Sequence, residues 1–130
     1  MSDHTLRDCR VLVVEDEYML AEELANELSD AGARVLGPVG TIEDALAIIE
    51  AEPEMDGAIL DANLRGEMVF PAADLLLDRG TPFVFTTGYD ASVFPPRFDH
   101  IVRCEKPINL RRVTQAIGRV IHAPVAEDGC

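Results

Sequence analysis

Positive charge is scarce in this chain. Eleven basic side chains stand against 24 acidic ones, leaving a formal charge of −13 over 130 residues. That balance opposes direct binding to nucleic acid or to an anionic membrane surface, and the expected partners are proteins or cations. Ten of the eleven basic residues are arginines; the single lysine is Lys106, in Cys104-Glu105-Lys106-Pro107. A compact ammonium suits a phosphate where the planar arginine fork is not equivalent. Cysteine is also sparse. Cys9, Cys104 and Cys130 are an odd number without CxxC spacing, which argues against a disulfide framework or a zinc site and for reduced thiols. No apolar run approaches the roughly 20 residues of a membrane helix. The first ten residues alternate charges instead of forming a signal-peptide core, so a cytoplasmic protein is expected.

What is present is apolar and periodic. A hydrophobic content of 48% in 130 residues suits one domain with a sizeable core. Val11-Leu12-Val13-Val14 is a continuous, largely β-branched run, as in a strand buried on both faces. Glu17 to Ala31 places Leu20, Leu24 and Leu28 at spacing four before Gly32, which predicts a helix. A second strand is expected over Arg34 to Val39. A second helix follows, capped at Thr41 and ended near Pro53. Gly57 to Ala62 reads as a third strand, Arg65-Gly66 as a turn, and Phe70 to Arg79 as a third helix closed by Gly80. Strands over Thr81 to Thr87 and Asp99 to Cys104 and a helix over Ile108 to His122 complete the series; residues 124–130 read as a tail.

This alternation implies a parallel sheet with helices on both faces and right-handed crossovers. One connection departs from it. Only eleven residues separate Thr87 from Asp99, among them Gly88, Pro95 and Pro96, too few for an ordinary crossover helix. The fourth helix is expected to be absent or reduced to a turn around Ala91 to Phe94.

In open α/β sheets, ligands bind at the carboxyl ends of the strands. Those ends carry Glu15, Asp16, Asp61 and Thr87, with Lys106 just beyond the fifth strand. Three clustered carboxylates require a compensating cation, and Mg²⁺ suits them because it binds few carboxylates and keeps positions for water and phosphate oxygens. A hydroxyl at Thr87 and the Lys106 ammonium would face a phosphoryl group there. Asp61 is the candidate nucleophile, since an aspartate can form an acyl phosphate. Thr86 competes with Thr87 for the hydroxyl role, and Glu17 reads as a first-turn acid that complements the helix dipole.

Val-Leu-Val-Val-Glu15-Asp16-Glu17, Ile-Leu-Asp61-Ala-Asn, Phe-Thr-Thr87-Gly88 and Lys106-Pro107, in that order and spacing, resemble a response-regulator receiver domain of two-component signalling. The likeness runs from Cys9 to about Ala123 and divides the chain into an extension (1–8), a receiver domain (9–123) and a tail (124–130). It implies a flavodoxin-like (βα)5 sandwich of three layers, with a parallel five-stranded sheet of order 2-1-3-4-5. It also implies that Asp61 is the phosphoacceptor for a phosphohistidine on a sensor histidine kinase or histidine phosphotransfer protein. Mg²⁺ would be held by Glu15, Asp16, Asp61 and the backbone carbonyl of Asn63. Thr87 would move toward the phosphoryl group and Lys106 would pair with it. Thr87 fits the family pattern better than Thr86 because the small Gly88 follows it. Glu15 stands where aspartate is commoner in the family, and its extra methylene leaves direct and water-mediated ligation both open.

Other departures concern signalling. Arg103 lies three residues before the lysine, where receivers usually carry an aromatic switch residue. Phe85-Thr86-Thr87-Gly88-Tyr89 resembles a subgroup of stand-alone receivers with a Phe-x-Thr-Gly-Tyr stretch and an altered fourth helix. Tyr89 is expected to slow dephosphorylation by flanking the path of water. The expected protein is a signalling domain with at most slow autodephosphorylation, not a turnover enzyme. It would act as a monomer or weak dimer on an unknown downstream protein or by phosphorelay. The last helix, with Arg111, Arg112 and Arg119, reads as a docking face or as ordinary surface charge. The rival reading is a receiver-like binding module that works without phosphorylation.

Overall fold

Every residue from Val11 to Val14 is fully buried, because strand β1 (Arg10–Val14) runs through the interior of a parallel sheet covered on both faces. The computed structural model describes residues 6–88 and 93–123. After β1 come α1 (Tyr18–Asp30), β2 (Arg34–Val39), α2 (Ile42–Ala51) and β3 (Gly57–Asp61). A short antiparallel pair, β4 (Asn63–Leu64) and β5 (Glu67–Met68), leads to α3 (Phe70–Arg79). The chain continues through β6 (Phe83–Thr87), β7 (Arg103–Glu105) and α4 (Leu110–Ile121). The main sheet has the order β2-β1-β3-β6-β7, and all its pairings are parallel. This is the expected flavodoxin-like order.

Strand alternation builds two cores from the same strands. Leu12, Val14, Ala58, Leu60, Phe83 and Phe85 face the layer of α2 and α3, where Ala45, Ile49, Ala72 and Leu76 meet them. Val11, Val13, Ile59 and Val84 face the layer of α1 and α4, against Leu24, Leu28, Val113 and Ile117. Leu6, ahead of β1, is also fully buried and joins this second core. At Gly57 a Cβ would lie 2.8 Å from Ile121 Cδ1, so the missing side chain lets the end of α4 approach the sheet.

Local signals explain the boundaries. Thr41 Oγ1 accepts a hydrogen bond from Asp44 N at 3.1 Å and caps α2. Asn109 Oδ1 accepts from Arg112 N at 3.0 Å, so α4 begins at Leu110, two residues later than the periodicity suggested. Gly80 closes α3 at φ 70°, a left-handed conformation that favours glycine. The strand expected over Asp99 to Cys104 is displaced to Arg103–Glu105. Phe98 is drawn fully into the core, and the backbone around it is taken up by turns: a 3-10 turn spans Pro96–Phe98, and Ile101 N donates to Phe98 O at 3.0 Å. Among the described residues no α-helix is assigned between β6 and β7. The turn expected around Ala91 to Phe94 falls largely outside them, as do Tyr89 and the tail. No helix among the described residues is long and apolar enough to cross a membrane.

Candidate functional site

The strand order reverses direction between β1 and β3, and the crevice beyond their carboxyl ends gathers acids from both. Glu15 and Asp16 follow β1 and Asp61 ends β3; a carboxylate oxygen from each lies within 4.8 Å of the others. Glu15 and Asp61 are buried, whereas Asp16 is half-buried. Lys106, just past β7, closes the group. Its Nζ donates to Asp61 Oδ2 at 3.0 Å and lies 3.6 Å from Glu15 Oε1. The lysine is anchored to the neighbouring strand, since Lys106 N donates to Thr87 O at 2.8 Å.

Backbone amides orient both buried acids. Glu17 N donates to Glu15 Oε2 at 3.0 Å, and Asn63 N donates to Asp61 Oδ1 at 3.1 Å. Glu17 is the residue preceding α1, and its side chain makes no capping hydrogen bond. Glu15 Oε1 is buried without a hydrogen-bond partner among the described residues. Burial and the adjacent Asp61 carboxylate together push the Glu15 carboxyl up to about 7. At Lys106, burial disfavours the ammonium, but the hydrogen bond and charge of Asp61, helped by Glu15 and Glu17, outweigh it and hold the pKa above the ordinary lysine value. A surplus of buried negative charge facing one ammonium, with one carboxylate oxygen left without a hydrogen bond, is a donor set that fits a divalent, oxygen-seeking cation.

Thr86 and Thr87 are both buried. Thr86 is the ladder partner of Asp61, and its Oγ1 has no hydrogen-bond partner among the described residues. Thr87 lies one step nearer the carboxyl end, beside the lysine through its backbone carbonyl. Arg103 is not beside the acids: its guanidinium lies over the Phe94 ring, 5.2 Å from the centroid. Tyr89 lies outside the described residues.

Sequence reading gave the Arg65-Gly66 turn but missed the short β4 and β5 strands on either side of it and what they bring. Asn63 Oδ1 accepts from Gly66 N at 2.6 Å in an Asx-type turn. Arg65, at φ 55°, places Nε 3.7 Å from Asp16 Oδ2. Asn63 followed three residues later by Gly66 was the available signal.

Fold and site together define a flavodoxin-like α/β domain with an acidic crevice at its switch point, spanned by one lysine. No family model matches the chain, and no curated protein matches it. Solved structures do. The solution structure of SdrG from Sphingomonas melonis Fr1 is 36% identical, with a TM-score of 0.75 over 88% of this chain and 97% of that one. The BeF3-activated conformation of SdrG from Pseudomonas melonis Fr1 is 35% identical, with a TM-score of 0.71 over 93% and 99% of the two chains. The non-phosphorylated HemR receiver domain from Leptospira biflexa is 25% identical, with a TM-score of 0.77 over 90% and 97%. The chain belongs to the response-regulator receiver family.

Proposed function

We propose that Asp61 accepts a phosphoryl group from a phosphohistidine on a sensor histidine kinase or histidine phosphotransfer protein, in a Mg²⁺-dependent reaction. The observation that carries this reading is the 3.0 Å contact between Lys106 Nζ and Asp61 Oδ2 at the edge of a three-carboxylate cluster. An Asp61 carboxylate oxygen attacks phosphorus as the phosphorus–nitrogen bond to the donor imidazole breaks, leaving an acyl phosphate on Asp61 and a free histidine on the donor. Lys106 then exchanges its carboxylate contact for a phosphoryl oxygen, and the Asn63 amide holds the Asp61 oxygen it already meets. The Thr87 hydroxyl supplies a further donor from the next strand. Glu15, Asp16, Asp61 and the Asn63 carbonyl would hold Mg²⁺, which neutralises charge on the transferred oxygens when bound. Tyr89 and Arg103 are assigned to tuning, Tyr89 by shielding the acyl phosphate from water.

The resulting protein is a response regulator that signals through protein contacts or phosphorelay. Incubation with acetyl phosphate and Mg²⁺ should yield a species about 80 Da heavier by intact mass, and Asp61→Asn should abolish it. An unmodified wild-type chain, under conditions that label another receiver, would leave the phosphorylation-independent binding module as the better reading. Tyr89→Ala should shorten the lifetime of the adduct.

A further inference from the structure

Among the described residues one edge of the sheet is unpaired, and it lies beside Arg112 and Arg119. β7 is the terminal strand, and among the described residues only one of its two hydrogen-bonding sides is paired, with β6. Phe85 N donates to Val102 O at 3.0 Å, and Lys106 N donates to Thr87 O at 2.8 Å. Positions 102, 104 and 106 therefore turn their backbone groups toward β6. By strand alternation, the N–H and C=O of Arg103 and Glu105 face the outer side. Such an edge is a template for another strand.

A groove of about 620 Å³ runs along this edge between β7 and α4, and Arg103, Arg112 and Arg119 line it against a single acid, Glu105. Arg112 and Arg119 thus bring positive charge to one groove of a chain carrying −13, while the guanidinium of Arg103 lies over Phe94. The Arg119 charge is felt inside the groove, where it opposes the upward effect of burial on the Cys104 thiol. At the mouth, Val102 is 40% exposed.

We infer that the β7–α4 groove takes an extended acidic segment of a partner protein as an additional strand. The partner's backbone pairs with Arg103 and Glu105, and its carboxylates meet Arg112 and Arg119. Backbone pairing supplies affinity that is indifferent to sequence, and the arginines select for acid. A second copy related by a two-fold axis is a poor occupant, because it would set its own basic groove against this one. The inference rests on the sheet edge and the arginines alone. It can fail while phosphorylation of Asp61 stands, and the reverse.

The test uses the full chain and a fluorescein-labelled octapeptide alternating valine and glutamate, read by anisotropy. Saturable binding is expected, with amide shift changes in 15N spectra confined to residues 102–105 and 110–119. The alternating valine–lysine peptide should not bind. N-methylation of alternate peptide amides should weaken binding about tenfold, the effect of losing one or two net hydrogen bonds. Arg112→Glu with Arg119→Glu should abolish it while leaving acetyl phosphate labelling of Asp61 unchanged. Absence of binding at millimolar peptide, equal binding of the lysine peptide, insensitivity to N-methylation or shifts centred on α1 would each overturn the inference.

Discussion

Between pH 4.5, the ordinary carboxyl value, and about 7, where burial and the Asp61 charge hold Glu15, the folded chain keeps a proton that the unfolded chain releases. With metal chelated, stability should fall as pH rises through that window, by on the order of 3 kcal/mol in all, and level off above it. Denaturant titrations in EDTA would show this, and Glu15→Gln should flatten the profile. Lys106 contributes in the opposite region: its raised pKa stabilises the fold below the ordinary lysine value, and that contribution is lost as pH rises through the folded one. Because Asp61 raises the Glu15 value and Lys106 lowers it, Asp61→Asn should move the Glu15 midpoint down. Lys106→Met should move it up. Carboxyl-carbon NMR reads both shifts, and a midpoint indifferent to both variants would contradict the geometry. Lys106 could be singled out in the sequence because it is the only lysine. The Glu15 oxygen that lacks a hydrogen bond could not, since its burial arises only where β1, β3 and β7 end together.

Elements in this chain begin and end where side chains replace missing backbone partners. Thr41 caps α2, and Thr41→Ala should cost about 1 kcal/mol. The threonine before an acidic first turn made that start legible. Asn109 does the same for α4, but the apolar Ile108 beside it drew the expected boundary two residues too early. The segment before β7 was misread for a different reason. Ile101 and Val102 carry strand propensity, yet Phe98 packs with Phe70 and Phe85 at centroid distances of 5.3 and 5.4 Å. Arg97 reaches across to Asp74 with two hydrogen bonds of 2.7 and 3.0 Å. Tertiary packing overrides local propensity there. Phe98→Ala should destabilise the domain by about 3–5 kcal/mol in chemical denaturation. Loss of the aromatic cluster should also free the guanidinium of Arg103 from Phe94.

A net charge of −13 on one domain opposes its own compactness, and screening relieves that repulsion. Added sodium chloride should therefore raise the melting temperature, and the gain should shrink when Mg²⁺ saturates the acidic crevice; calorimetry with and without Mg²⁺ measures both. The same charge makes the arginine-lined groove at β7 exceptional on this surface. Periodicity and residue type alone determined the α/β class, the alternation of strands and helices, the shortened connection after β6 and which acids, hydroxyls and lysine are candidates for the site. These depend on which side chains can be buried and which chemistry they carry. Only the tertiary structure decided that Glu15 is buried with one oxygen lacking a hydrogen bond, that Arg65 reaches Asp16 and that Arg103 packs on Phe94. It also decided that, among the described residues, the outer side of β7 is unpaired beside Arg112 and Arg119. Those facts depend on distances between residues remote in the chain, which are set when the two helix layers close over the sheet.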